Sequence, residues 1–439
     1  MPAQYGIVGR TTSDIVSSVE RAVFTGRLTP GARLPTVRGL AGSLGVSPAT
    51  VNAAYQGLRD RGVVTADGRR GTAVAHRPPL PHAPLSVPAG SVDLASGDPD
   101  PALLPDVRPV LARLAYQPRG YRADQDDASL LRAAAAQFAA DGIPAAALTV
   151  VGGALDGVER VLATHAQAGD RIAVEDPGYS GVIELVRAIG LRVEPMAVDR
   201  SGPVPEALAA ALRRGAVAVV VTPRAHNPTG ACLDESRVRA LRRVLRAHPQ
   251  TLVVEDDHAG AVAGAPALSL CTTRTRRWAV ARSVSKSLGP DLRLAVLTGD
   301  PGTIARVQGR LSVGTGWVSH VLQQLVAGLW ADRDVAALLD RAEAAYAERR
   351  AALLAALAAR DVPAVGWSGL NVWIPVADEL SVVQQLAASG YAVAAGSRYR
   401  IGSPPAVRIT SARMAVRDAP KVAAAVQLAT APRRHQRSG

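Results

Sequence analysis

Apolar residues recur along this chain with two different periods, and the change between them divides it. Over residues 13–25 the apolar positions Ile15, Val16, Val19, Ala22 and Val23 follow helical spacing. Pro30-Gly31 ends that pattern, and Leu34-Pro35 leads into a short helix over 37–44. Gly45-Val46-Ser47 reads as a tight turn. Ser47 is placed to cap a third helix, with Pro48 at its first position and Val51, Ala54, Tyr55 and Leu58 on its apolar side. Residues 63–65 and 72–74, joined by Asp67-Gly68-Arg69-Arg70-Gly71, read as a two-stranded hairpin with a basic tip. Prolines then dominate 76–92, an extended and semi-rigid linker. From 93 onward short apolar runs such as 217–221 and 252–254 alternate with helical patterns such as 234–247. That order predicts a mostly parallel sheet covered by helices on both faces. A long helix is expected over 335–358, followed by a smaller α+β unit with strands at 370–376 and 407–410. The expected domains are therefore 1–75, the linker 76–92, and 93–439 with a small subdomain at about 335–428.

Composition refines this picture in three ways. Hydrophobic residues are 48% and charged residues 20%, which fits folded domains rather than a disordered chain. The net charge of +13 carries little meaning by itself, because arginine is abundant everywhere. Its distribution does carry meaning. Residues 1–77 hold ten arginines against Asp14, Glu20, Asp60 and Asp67, a net of +6, so the excess is concentrated where a polyanion would bind. Cys232 and Cys271 give neither a disulfide framework nor metal-ligand spacing, and a reduced cytoplasmic compartment is expected. The start MPAQYGIVGR lacks the apolar core of a signal peptide. No run approaches the roughly 18 apolar residues of a membrane span, so no membrane partner is expected.

Helix, helix, turn, helix and basic hairpin is the order of a winged helix-turn-helix. Its third helix, 48–59, would enter a major groove, presenting Ser47, Ala49, Thr50 and Asn52 to phosphates or base edges. Arg33 and Arg38 would anchor phosphates, and Arg69 and Arg70 would reach a minor groove or the backbone. The competing account is a helical packing domain with a solvated basic face. The run PGARLPTVRGLAGSLGVSPATVNAAYQGLRDRGVVTADGRRGTAV, residues 30–74, resembles the GntR family of bacterial regulators. The resemblance implies DNA contact at the position of Arg38 and at the start of the third helix. That start here is Ser-Pro-Ala-Thr, without the arginine that some relatives carry.

The chain has only two lysines, and one of them, Lys286, lies between Ser285 and Ser287, seven residues before Arg293. A primary amine forms a Schiff base with an aldehyde, which a guanidinium does not usefully do. Lys286 is thus the candidate attachment point for an aldehyde cofactor, and the other requirements of such a group can be sought in turn. Asp256, in Val254-Glu255-Asp256-Asp257-His258, offers an anion for a pyridine nitrogen. Asn227, in His226-Asn227-Pro228-Thr229-Gly230, offers a donor to a ring hydroxyl oxygen. Gly152-Gly153-Ala154-Leu155 opens a helix after an apolar strand, so backbone N–H groups, Gly153 and Ala154 among them, can cradle a phosphate. Ser283, Ser285 and Arg293 add hydroxyls and a charge. Tyr179, in a chain with 15 aromatic residues, offers a stacking plane. Arg408 is the candidate for an effector carboxylate, with Gly97 assigned to the same effector site.

The Asn-Pro-Thr-Gly and Ser-x-Ser-Lys…Arg motifs, in this order and spacing, resemble class I aminotransferases of fold type I over about 93–428. The resemblance implies pyridoxal 5'-phosphate as cofactor. It also matches Tyr116 to a family tyrosine that reaches the neighbouring subunit's phosphate. Two departures stand out. His258 occupies a position where such regulators usually have a tyrosine contacting the ring oxygen, and an imidazole changes charge near neutral pH. Ala-Leu-Asp-Gly follows Gly153 where many relatives carry polar Ser and Gln.

The whole chain resembles the MocR group of transcription regulators. The resemblance implies operator DNA with repeated half-sites, a small amino compound or pyridoxal phosphate as effector, and a head-to-tail homodimer. The expected activity is effector sensing with little or no steady transamination. The alternatives are a working aminotransferase with an appended DNA-binding module and a cofactor-free dimerisation scaffold, the latter leaving Lys286, Asp256 and Asn227 unexplained.

Overall fold

Capping side chains set the ends of the first helices. A computed structural model describes residues 6–60, 62–66, 71–75 and 87–431, and the chain divides into Met1–Ser86 and Val87–Gly439. Thr11 precedes α1 (Thr12–Phe24) and accepts from the Asp14 N–H at 3.2 Å, while the Asp14 carboxylate accepts from the Thr11 N–H at 3.1 Å. This reciprocal box satisfies two donors that a helix start leaves without partners. Thr36 accepts from the Gly39 N–H at 3.1 Å at the start of α2 (Val37–Leu44). Gly45, at φ 65°, closes that helix in the left-handed region that glycine enters most cheaply. Ser47 accepts from the Thr50 N–H at 3.1 Å at the start of α3 (Pro48–Asp60).

The three helices bury Ile15, Val19, Leu40, Val51, Ala54 and Leu58 together. Tyr55 joins them, and its hydroxyl donates to the Pro35 carbonyl at 2.8 Å. Strands β1 (Val64–Ala66) and β2 (Thr72–Val74) pair antiparallel, and Arg33 bridges to Ala73 on the other side of β2. This is the winged helix-turn-helix order that the periodicity predicts. Arg69, Arg70 and linker residues 76–86 lie outside the described residues.

The second unit contains β3 (Val92–Asp93), β4 (Ala147–Val151), β5 (Arg171–Asp176), β6 (Arg192–Asp199) and β7 (Gly202–Pro203). It continues with β8 (Ala216–Val221), β9 (Leu252–Asp257), β10 (Trp278–Ser283) and β11 (Ala295–Gly299). The remaining strands are β12 (Asn371–Pro375), β13 (Tyr391–Ala392), β14 (Ala394–Ala395) and β15 (Ala406–Thr410). The large sheet runs β4-β11-β10-β9-β8-β5-β6-β7, and only β11 and β7 oppose the common direction. Val219, Val253, Val280 and Val296 are buried in one cluster with Leu130, Phe138, Leu241 and Leu329 from the helices. A smaller sheet, β12-β15-β14, packs with Arg333–Ala358, Glu379–Ala388 and Ala419–Thr430. β3 begins inside the stretch read as linker. The Val92 N–H donates to Gly390 O at 2.8 Å and the Leu94 N–H to Ala392 O at 2.9 Å, which builds this segment into the second unit.

A buried ion cluster ties three neighbouring strands of the large sheet. Arg224, just past β8, grips Asp257 at the end of β9 with two bonds of 2.8 and 2.9 Å. Arg282 of β10 donates to Asp257 at 2.8 Å and pairs with Asp141 at 2.6 Å. Burial pushes the Asp257 carboxyl up, but the two guanidiniums outweigh it and hold it at about 2. Removing one partner of a buried pair leaves uncompensated charge, a loss of about 3–5 kcal/mol. Asp257→Ala is therefore expected to destabilise the second unit by that amount, and urea unfolding of the two proteins side by side checks it.

Candidate functional site

The chemistry-bearing residues gather at the C-terminal ends of the parallel strands, where open α/β sheets bind ligands. Side chains alternate between the two faces of a strand, so Glu255 and Asp257 share one face of β9 and Asp256 takes the other. Glu255 is occupied, accepting from Ser269 Oγ at 2.6 Å and from the Leu270 N–H at 2.5 Å. Asp257 is held by the two arginines. Asp256 is 1% exposed, and its Oδ1 has no hydrogen-bond partner. A buried polar atom without a partner is rare and calls for a cause. Of the three carboxylates, Asp256 is the one open to a cationic or N–H partner.

Lys286 and Arg408 meet at one stretch of backbone. Lys286 Nζ donates to Gly97 O at 2.9 Å. Arg408, on β15, donates to Ala95 O through Nη2 and to Asn227 Oδ1 through Nη1 at 3.0 Å. A Cβ on Gly97 would stand 3.3 Å from Arg408 Nη2, so this glycine lets the guanidinium lie close to the chain. Arg408 also lies over the Tyr399 ring, 4.7 Å from its centre. Burial pushes the Lys286 amine below its ordinary value, and the Arg408 charge acts the same way against Asp98. A lowered amine pKa favours the neutral, nucleophilic form.

The flanking groups have fixed positions. Tyr179 packs over Gly181, where a Cβ would fall 2.7 Å from the ring, so the ring sits where no larger residue fits beneath it. Burial and the Asp256 charge raise its phenol, which stays protonated. α4 (Arg108–Ala112) and α5 (Ala128–Ala140) precede α6 (Ala154–His165), whose start follows β4. Gly153, at φ 115°, opens α6 without any side-chain cap, and a Cβ there would stand 3.5 Å from Arg293 Nη2. Arg293 itself is at φ 43°, a conformation that a side chain rarely adopts, and this aims its guanidinium at the helix start. Ser283 Oγ and Ser285 Oγ are 2.9 Å apart. Helix amides, hydroxyls and a guanidinium are the donor set that a phosphate requires.

The structure departs from the sequence reading at two places. The Gly152 N–H is already donated to Asp156 Oδ2 at 2.8 Å, so the cradle starts at Gly153 rather than Gly152. His258 does not change charge near neutral pH: burial and the Lys286 charge push its imidazole down to about 4. Tyr116, which the resemblance matches to a residue reaching the neighbouring subunit, is 43% exposed and lines a cleft with Tyr121 and Trp317.

Sequence reasoning missed Glu175, His226, Asp176 and Tyr399. Glu175 accepts from the Thr222 N–H at 3.1 Å, and His226 Nε2 stands 3.4 Å from it. Asp176 accepts from the Ile401, Gly402 and Ser403 N–H groups at 2.9, 2.8 and 3.1 Å, pinning the loop before β15 to the end of β5. The one legible signal was the acidic pair immediately before Pro177. In the first unit Arg33, Arg38, Ser47, Ala49 and Asn52 are exposed and Thr50 is half-buried.

Comparison with known proteins agrees with this architecture. Residues 89–426 match the family described as aminotransferase class I and II, and residues 11–74 match the bacterial regulatory proteins of the gntR family. The vitamin B6 salvage pathway transcriptional repressor PtsJ of Salmonella typhimurium is 38% identical over 92% of this chain and 95% of its own length. The chain belongs to the MocR-type regulators of the gntR family. The HTH-type transcriptional regulator TauR of Rhodobacter capsulatus is 28% identical over 80% of this chain and 81% of its own. The α-aminoadipate aminotransferase LysN of Thermus thermophilus superposes with a TM-score of 0.69 at 20% identity, covering 78% of this MocR-type chain and 93% of LysN, a likeness of fold. Among the described residues no helix is long and apolar enough to cross a membrane.

The cofactor that this aminotransferase fold implies is pyridoxal phosphate, and the residues present fit it. A buried carboxylate with one oxygen unpartnered lies in β9, a buried amine of lowered pKa follows β10, and a phosphate-type donor set opens the helix after β4 in the same sheet. Burial, with Asp257 and Glu175 acting in the same sense, pushes the Asp256 carboxyl up to about 7. The folded state thus holds this proton more tightly than the unfolded chain. Its stabilisation is complete below the ordinary value of 3.8 and is lost as pH rises through about 7. In cofactor-free protein Asp256→Asn is expected to raise the melting temperature above pH 7 and to leave it unchanged below pH about 4. Thermal melts of both proteins across that range test the sign.

Proposed function

We propose that this chain is a DNA-binding transcription regulator whose second unit holds pyridoxal phosphate at Lys286 and senses the cofactor or a small amino compound. One observation carries the sensor part: Lys286 and Arg408 donate to Gly97 O and Ala95 O, two residues apart, with Asn227 on the same guanidinium. With an aldehyde cofactor on Lys286, a bidentate cation that close suits a ligand whose amino group would take the place of Lys286 on the aldehyde while its carboxylate meets Arg408.

Pyridoxal phosphate supplies an aldehyde that bonds reversibly to amines and a ring that withdraws electrons. The rest falls to this chain's side chains. Lys286 supplies the attaching amine. Asp256 keeps a proton on the ring nitrogen, Asn227 donates to the ring oxygen, and Tyr179 stacks on the ring. His258, neutral at pH 7, offers an N–H donor in place of a phenol. Gly153, Ala154, Ser283, Ser285 and Arg293 hold the phosphate. Arg408, beside Gly97, orients the effector carboxylate. An effector changes DNA affinity only to the extent that it binds the DNA-competent form differently from the other.

In the first unit Arg33 and Arg38 supply phosphate contacts, with α3 in the major groove. The working form is a head-to-tail homodimer on repeated half-sites, with Tyr116 reaching the partner subunit's cofactor phosphate. The exposure of Tyr116 and Tyr121 in one cleft, which the half-buried Trp317 also lines, supports that assembly.

The test is the absorption spectrum of the protein with added pyridoxal phosphate, beside Lys286→Ala. Wild type is expected to show the band of the attached cofactor, and the variant to lack it. Equal spectra would remove the sensor reading and leave a DNA-binding protein with an unused enzyme fold. Turnover makes a separate prediction. With an amino donor and a keto acid, a single slow half-reaction is expected, and steady product formation would instead establish an aminotransferase. For Arg408→Ala, amino-acid titration of the band should weaken about 30-fold or more, the loss of a charge-assisted pair of about 2 kcal/mol or more.

A further inference from the structure

We propose that Asn371 is a positioning residue for the cofactor site. Its amide and Arg408 together hold the Asn227 oxygen, so that the Asn227 NH2 faces the ring oxygen. Asn371 then keeps that orientation when Arg408 turns to an effector carboxylate. The inference rests on the cofactor reading of Lys286 and its neighbours.

Asn371 and Thr410 stand directly opposite each other on the antiparallel pair β12 and β15, and Arg408 lies two residues before Thr410. Directly opposed residues share a face of a sheet, and so do residues two apart on a strand. Asn371, Arg408 and Thr410 therefore project from one face of the small sheet, and all three are buried. Asn227 reaches them from the turn after β8. Its Oδ1 accepts from Arg408 Nη1 at 3.0 Å and from Asn371 Nδ2 at 3.4 Å. Asn371 Oδ1 accepts in turn from the Thr410 hydroxyl at 2.9 Å.

The side chains themselves fix the direction of this chain of bonds. A guanidinium only donates, so the Asn227 atom that meets Arg408 is its oxygen. The Asn371 atom that meets the same oxygen is then its nitrogen, because two amide oxygens would repel. The Asn371 oxygen is left for the hydroxyl of Thr410. Both acceptor positions of Asn227 Oδ1 are thus occupied. Among the described residues no atom accepts from its Nδ2, the donor that the ring oxygen requires. The backbone that carries Asn227 is held separately. Ser368 accepts from the Ala225 N–H at 3.0 Å and donates to Gly230 O at 2.7 Å, one bond on either side of Asn227. Loss of the Asn371 amide therefore frees the Asn227 side chain to rotate while its turn stays in place.

A guanidinium that grips a carboxylate with both arms gives up its weaker amide acceptor. Arg408 is open to that exchange, and Asn371, which carries no charge, is not. With an effector carboxylate bound, Asn371 is the donor that remains on Asn227. A donor at the ring oxygen favours the ionised ring hydroxyl, so its loss raises the pH at which the attached cofactor gives up a proton.

The experiment is a pH titration of the attached-cofactor band in full-length protein loaded with pyridoxal phosphate, with and without acetate. Acetate supplies a carboxylate for Arg408 and has no amine to displace Lys286. Its charge raises the midpoint in every protein, so the difference between proteins isolates Asn371. In Asn371→Ala the rise on adding acetate is expected to exceed that of wild type by about one pH unit, the size of one hydrogen bond. Thr410→Val keeps the shape of the residue and removes the hydroxyl that orients Asn371, and an excess of about half that is expected. Asp256, His258, Lys286, Tyr179 and Arg408, the titratable groups around the cofactor, are the same in all three proteins. Thermal melts without cofactor report any loss of stability, which by itself leaves the acetate-dependent midpoint where it is. If acetate moves the midpoint equally in all three proteins, the proposal is overturned while attachment at Lys286 stands. If no band forms in wild type, the cofactor reading falls and takes this proposal with it.

Discussion

Asp257 is the residue on which the geometry of the second unit turns. It is buried and ionised, and it neutralises Arg224 and Arg282 from the strands on either side of its own. Such a pair contributes less to net stability than to fixing geometry, because both charges have given up water to form it. What it fixes here is the relative placement of three strand ends. Asn227 follows one of them, Asp256 sits in the second, and Ser283 to Lys286 follow the third. Strand alternation then points Asp256 away from the arginines that would neutralise it. The same arrangement that satisfies Asp257 leaves its neighbour a raised pKa and an unpartnered oxygen.

The second requirement is that the small subdomain deliver Arg408 to that site. Asp176 does this from the large sheet by accepting three backbone N–H groups and the Ser403 hydroxyl of the loop before β15. Gly178 adds a bond of 2.7 Å to Tyr399 O, and Tyr399 carries Arg408 on its ring. Lys286 and Arg408 donate to backbone carbonyls of the 95–97 segment, acceptors weaker than the carboxylate of an amino acid. Both groups are therefore held in position by bonds that can be exchanged, Lys286 for an aldehyde carbon and Arg408 for a carboxylate.

The departures from the family pattern become intelligible in three dimensions. Histidine at 258 keeps one charge state, because burial beside a lysine opposes a second cation. Asp156, in the first turn of α6 where a phosphate cradle would disfavour an anion, is turned to the Gly152 N–H and neutralised by Arg160 at 2.9 Å. The carboxylate serves the turn into the helix.

The sequence alone determined the architecture. Helical spacing in the first 60 residues, the basic hairpin, the Pro-rich break and the later alternation of strand and helix follow from local periodicity and turn chemistry, which need no distant partner. It also singled out Lys286, because the chain has only two lysines beside 48 arginines and this one stands between two serines, seven residues before Arg293. Only the tertiary structure decided which of Glu255, Asp256 and Asp257 is open, since their bonds come from Ser269, Leu270, Arg224 and Arg282, 14 to 33 residues away in sequence. It likewise decided that the Gly152 N–H is taken by Asp156 and that burial keeps His258 neutral. Burial, charge proximity and hydrogen-bond partners belong to the folded chain, and no local pattern encodes them.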